Sequence, residues 1–207
     1  MEEMQVFALA NARFDKFEAK YCNITTRKDG AKVCVFQELS TLYDNCVHVI
    51  GNVLITSGDE NDTEKLKSVM FIYGSLTITN TSLVNLEFLG NLTNVAVLNN
   101  TSPAISLISN PKLADVYFTS MMYPFTIGPH RVVINDNAPN LFVDYYQCNG
   151  YQYTIKAYIF YNGGDCASML TGGTDGGEIA GGSNNSRNGV DYSITLVLTG
   201  LQLVRMF

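Results

Sequence analysis

Two copies of one short pattern, offset by 23 residues, constrain this chain more than anything else in it. The first is Val49-Ile50-Gly51 followed by Val53 and Ile55; the second is Ile72-Tyr73-Gly74 followed by Leu76 and Ile78. The apolar-x-apolar pair returns as Ile105 and Leu107, then as Val132 and Ile134, so the leading residues are 23, 29 and 27 apart. Similarity at a period of 20–50 residues marks a solenoid, whose units bury their apolar sides only against their neighbours. The expected fold is therefore mainly β, with one strand of each unit stacked on the equivalent strand of the next. Drift in the spacing is what loops of unequal length leave on a common framework.

Each part of the unit has a physical reason. Glycine ahead of the strand permits a tight turn where a Cβ would clash. Alternating Val, Ile and Leu suit a half-buried pleated surface. The third and fourth copies run on to Ser109-Asn110-Pro111-Lys112-Leu113 and Asp136-Asn137-Ala138-Pro139-Asn140-Leu141. There Asn bonds backbone at a corner, and the following Leu (Leu83, Leu113, Leu141) returns to the core. Leu86, Phe88, Leu89 and Leu92 extend this on the second copy, and Val95–Leu98 enters the third without its glycine. The positions alternating with the buried pairs are expected to face outward: Asn52, Leu54, Ser75, Thr77, Ser106 and Val133.

The flanks divide the chain into three. Residues 1–33 form an N-terminal segment in which Ala10-Asn11-Ala12 has the small-x-small form of a signal cleavage site, although Glu2 and Glu3 are acidic and the apolar run Val6–Ala10 is short. Phe14–Tyr21 has the makings of a helical turn, and Lys28-Asp29-Gly30 signals a turn. Residues 34–166 are the repeat domain. Phe36, Leu39, Leu42 and Tyr43 stand at helical spacing, so a short capping helix is expected over the first unit. Cys34 and Cys46 bracket it, and a bridge between them would staple the cap to the first strand. Tyr153, Ile155, Ala157, Ile159 and Tyr161 alternate with Thr154, Lys156, Tyr158 and Phe160, which predicts a closing strand held by a Cys148–Cys166 bridge. Residues 167–207 combine a Gly-rich linker with an apolar tail, Ser193–Phe207. The tail is short for a membrane span. With small residues at 181–185 it fits a GPI-anchor signal, against which Arg205 counts.

Composition narrows the function. The net charge is −6 and only 15 % of residues are charged. No basic stripe exists to displace counterions from nucleic acid or to dock on anionic lipid. With two histidines, His48 and His130, and no CxxC among five cysteines, neither a metal nor a cofactor is expected. Seven Asn-x-Ser/Thr sequons occur, at Asn23, Asn61, Asn80, Asn91, Asn99, Asn100 and Asn184. That exceeds the roughly three expected by chance and points to a glycosylated, secreted chain whose cysteines oxidise. Cys22 has no assigned partner. The crowded carboxylates Asp59, Glu60, Asp62 and Glu64 read as a solvated charge run. Asp115, Asp136 and Asp144 read as turn makers, and neither histidine has a nucleophile at motif spacing.

Asn45-Cys46-Val47-x-Val49-Ile50-Gly51-Asn52-Val53-x-Ile55 resembles the opening of the receptor L domain, the ligand-binding module of the insulin-receptor and epidermal-growth-factor-receptor families. The Gly74-Ser75-Leu76-Thr77-Ile78 stretch, the Leu86–Leu92 run and the Ser109–Leu113 corner resemble its later coils. The likeness covers Cys34 to about Cys148, and the stand-alone, Asn-rich form is most similar to the L-domain proteins of nematodes. It implies a right-handed β-helix with short sheets and a helical cap, and a Cys34–Cys46 bridge. It also implies binding of a peptide-hormone or growth-factor-like ligand on a sheet face, without catalysis. Phe142 stands where the family usually has a cysteine, which leaves the last bridge open. Within these 207 residues no second L domain, cysteine-rich module or kinase is expected beside the repeat.

Three functions follow, in order: an extracellular, non-catalytic binding module or modulator of peptide signalling; a structural or adhesive solenoid without a discrete ligand; and a glycan-processing β-helix enzyme. The expected partner is a secreted peptide or protein or a receptor ectodomain, with a membrane engaged only through the C-terminal anchor. The candidate contacts are Leu54, Thr77 and Val133 on the outward positions, and Tyr117, Phe118 and Tyr123 in an aromatic-rich loop that also holds Phe125.

Overall fold

The computed structural model describes residues 29–98 and 100–171. The signal, linker, anchor and Cys22 expectations, and the sequons at Asn23, Asn99 and Asn184, lie outside them. Two five-stranded parallel sheets make up the fold. Sheet one runs β1 (Val33–Val35), β2 (His48–Ile50), β4 (Phe71–Tyr73), β6 (Asn94–Val97), β8 (Tyr123–Thr126). Sheet two runs β3 (Val53–Ile55), β5 (Leu76–Thr79), β7 (Ile105–Ile108), β9 (Val132–Asn135), β10 (Ile159–Tyr161). From β2 to β9 the chain therefore alternates between the sheets. The repeat spacings reappear as register: Val49 opposes Ile72, Val53 opposes Leu76, Leu76 opposes Ile105 and Ile105 opposes Val132.

The core lies between the sheets. Val49, Ile72 and Val95 enter it from sheet one; Val53, Ile55, Leu76, Ile78, Ile105, Leu107, Val132 and Ile134 enter it from sheet two. Each such side chain stabilises the fold by about 1.5–3 kcal/mol relative to exposure. Leu113 and Leu141 return to this core from the corners, and Leu83 packs on it half-buried. At the first corner the glycines stack. Gly51 and Gly74 both have positive φ, and a Cβ on Gly74 would lie 2.2 Å from the Gly51 carbonyl oxygen. After the strands of sheet two the chain turns through Asn80, Ser109, Asp136 and Asn162, all left-handed. Beside that turn Asn110 is wholly buried. Its Oδ1 accepts from the Thr81 N–H (3.0 Å) and hydroxyl (2.7 Å), and its Nδ2 donates to Ile78 O (3.0 Å) and Asn137 Oδ1 (2.9 Å).

Both expected bridges form, Cys34–Cys46 and Cys148–Cys166. Two expected elements differ. The capping helix is a single 3-10 turn, Leu39–Thr41, packed beside β3 and beside a second 3-10 segment, Glu60–Leu66. Leu39 and Leu42 are buried, but Tyr43 is exposed, so the apolar stripe is too narrow to hold a longer helix. The predicted strand over Tyr153–Tyr161 is strand only at Ile159–Tyr161; Tyr145–Ile155 is helix α1. Asp144 caps α1 by accepting from Gln147 N–H, and Lys156 ends it with φ 51°. Cys148, Tyr151 and Ile155 supply its buried stripe at helical spacing, whereas Tyr153, which opened the alternation, is solvent-exposed. The second bridge therefore ties α1 to the chain just before α2 (Ser168–Thr171).

Candidate functional site

Because β-pairing is parallel and in register, each sheet presents straight rows of side chains on its outer face. On sheet two the row is Leu54, Thr77, Ser106, Val133 and Phe160, each opposite the next. Thr79, Ile108 and Asn135 form a second row beside it. Leu54 is 48 % exposed, while Thr77, Val133 and Phe160 are half-buried. Ser106, although outward, is buried between larger neighbours. His130 packs its ring on Phe160 at 4.6 Å. The Asn135 Oδ1 is shielded from water and accepts no hydrogen bond. The surface is shallow, apolar and hydroxyl-bearing, with one unsatisfied acceptor.

The outer face of sheet one is aromatic. One row holds His48, Phe71, Asn94 and Tyr123; the next holds Ile50, Tyr73, Ala96 and Phe125. His48 stacks on Phe71 with centroids 4.7 Å apart, and Tyr73 brings its hydroxyl to 3.4 Å from His48 Nδ1. These side chains point away from the core, yet Tyr73 is only 4 % and Phe125 3 % exposed. Burial also raises the Tyr123 phenol above its ordinary pKa, against the opposing pull of the Arg131 guanidinium 4.5 Å over its ring. The open face is thus that of sheet two.

The sequence-derived contacts separate accordingly. Leu54, Thr77 and Val133 share one row. Tyr117 is exposed at the corner after β7 and meets Tyr151 edge-on at 5.6 Å. Phe118 is in the core, with no surface to offer, and Tyr123 belongs to sheet one. The sequence reading missed the sheet-one aromatics Phe71 and Tyr73, and it placed Tyr123 and Phe125 in a loop. The signal was present, because Phe71-x-Tyr73 and Tyr123-x-Phe125 alternate as the buried aliphatic pairs do. Tyr151, whose burial holds its phenol pKa well above normal, donates its hydroxyl to Val116 O at 2.7 Å.

The acidic loop is occupied by structure. Asp59 accepts from the Thr56 N–H (2.8 Å) and hydroxyl (3.0 Å); Asp62 pairs with Lys65 and Glu64 with Lys67. Glu60 accepts from the backbone N–H groups of Ser82 (2.9 Å) and Gly58 (2.7 Å), which lower its pKa to about 2. Asp115 accepts from Tyr117 N–H, and Asp144 caps α1. Among the described residues no group of three or more His, Cys, Asp or Glu could hold a metal ion, and no helix is long and apolar enough to cross a membrane. The sequon residues Asn61, Asn80, Asn91 and Asn100 are exposed; Asn91 Nδ2 donates to Lys67 O at 2.7 Å.

The family model described as Receptor L domain matches residues 45–153, just over half of the chain. No curated protein and no solved structure gives a significant match.

Proposed function

The chain belongs to the receptor L domain family, and on that premise we propose that it is an extracellular, non-catalytic module binding a peptide or growth-factor-like protein on the outer face of sheet two. The family is a ligand-binding one with a β-helix-like fold. The strands' alternation between two parallel sheets supports a solenoid over residues 34–166, and its right-handed coil is what the family likeness implies. The observation that carries the functional reading is the in-register row Leu54, Thr77, Ser106, Val133 and Phe160, which leaves a flat surface open beside a closed one. Asn135 Oδ1, desolvated and unpaired, supplies an acceptor for a peptide N–H; leaving such a group unpaired costs about 1–3 kcal/mol. Tyr117 lies at a neighbouring corner, where it extends the contact for a ligand larger than the sheet. The two disulfides fit an oxidising compartment. The exposed sequons at Asn61, Asn80, Asn91 and Asn100 fit glycosylation there. Secretion or a C-terminal lipid anchor, and kinship with the stand-alone nematode proteins, belong to the same reading.

The test is affinity capture from secreted peptides with the oxidised protein as bait. One dominant peptide is expected, lost with Leu54→Glu or Val133→Glu and retained with Tyr146→Ser on α1. Capture of no dominant species would favour the structural or adhesive role. Equal capture by all variants would remove the sheet-two face.

A further inference from the structure

The corners that lead into sheet one stack on each other. Asn91 Nδ2 donates to Lys67 O at 2.7 Å, and Thr119 Oγ1 donates to Gly90 O at 3.0 Å. Between these corners lies an open groove of about 430 Å³, lined by Asn91 itself and by Lys67, Glu87, Phe88, Thr119 and Ser120. Its volume falls in the range of roughly 300–1,000 Å³ that holds small molecules. The lining is charged and hydroxyl-bearing, with Phe88 as its one aromatic, which suits a neutral ring rich in hydroxyls better than an apolar ligand. The groove therefore starts at the acceptor side chain of the sequon Asn91-Leu92-Thr93. Leu92 is wholly buried and the Thr93 hydroxyl donates to Met70 O at 2.8 Å, so the fold holds this sequon in one place.

We propose that Asn91 carries an N-linked glycan whose first N-acetylhexosamine is seated in this groove as a fixed part of the surface. The inference rests on the extracellular reading of the chain. Transfer takes place on the nascent chain, before Leu92 and Thr93 are locked in. Nδ2 attacks C1 of a lipid-pyrophosphate-linked oligosaccharide: the Nδ2–C1 bond forms, the C1–O bond breaks, the lipid pyrophosphate leaves with the electron pair, and one amide proton passes to water. Nδ2 keeps its second hydrogen, which suffices for the bond to Lys67 O and fixes the direction in which the sugar leaves the chain. Glu87 and Ser120 then pair with the hydroxyl and acetamido groups of the ring. A tethered ring is present at high effective concentration, so individually weak contacts keep it seated.

The test uses the full chain secreted from a eukaryotic cell. The folded, oxidised protein is treated with a peptide N-glycosidase, and release at each sequon is followed by mass spectrometry of the peptides. Asn91 should be occupied. Its glycan should leave at least about tenfold more slowly than from the reduced, unfolded protein and than at other occupied sequons such as Asn61. Glu87 is exposed, and Glu87→Ala should bring the native rate at Asn91 toward the others, which stay unchanged. An unmodified Asn91 beside other modified sequons would overturn the proposal and leave the extracellular reading standing. So would a native rate equal to the others, or a slow rate that Glu87→Ala leaves untouched. Were every sequon bare, the extracellular reading would fall with it.

Discussion

At Gly74 two penalties coincide: a left-handed backbone and a Cβ position filled by the carbonyl of Gly51. Gly74→Ala should therefore destabilise by on the order of 3 kcal/mol, read as a lower urea midpoint with unchanged slope. Gly30, also at positive φ but with open space around its Cβ position, lacks the steric part and should cost less. Glu60 gives a pH signature. Its folded-state value, about 2, lies below the ordinary 4.5, so the stabilisation by its ionised form is complete above pH 4.5 and disappears as pH falls through 2. The stability gap between the parent and Glu60→Gln should accordingly be widest at neutral pH, narrow below 4.5 and close near 2. Asn110 is the third such residue. Asn110→Ala strands the Thr81 donors and Ile78 O in a dry corner, and a loss of about 2–4 kcal/mol should appear in thermal unfolding.

Elements differ in how openly the sequence announces them. Strands β3, β5, β7 and β9 were legible because parallel stacking places like residues at like positions, so Val53, Leu76, Ile105 and Val132 pair at the spacing read from the chain. The corners after β7 and β9 were legible through Asn110, Asp136 and Asn137, whereas the left-handed turns at Asn80 and Asn162 were not. Helix α1 was not, because its last residues, Tyr153 and Ile155, open an alternation that runs on to Tyr161 as a strand's would; only tertiary contacts show that Tyr151 points inward and Tyr153 out. Its start, however, rests on a recognisable cap. Asp144→Ala should cost about 1 kcal/mol and fray the first turn, detectable as faster amide exchange at Gln147. The candidate face was half legible. Alternation marks which positions point outward, but not which of the two sheets is shielded, since that depends on what crosses it.

Across the whole molecule one apolar cluster runs without a break from Cys34 to Cys166. Damage at either end should be felt throughout. Leu39→Ala, beside the first bridge, and Ile159→Ala, on the last strand, should each remove about 2–4 kcal/mol and shift a single unfolding transition. Two separated transitions in either variant would show instead that the ends melt independently, as in long repeat arrays.

The rungs of sheet two lend the open row one side chain each, at separate places along the chain, while the alternating neighbours stay inside. A change of letter at Leu54, Thr77, Val133 or Phe160 thus rewrites one stripe of the surface, roughly 4.8 Å wide, and leaves the rest of the text alone. Such a surface can drift toward a new ligand in single mutational steps, none of which passes through a broken scaffold.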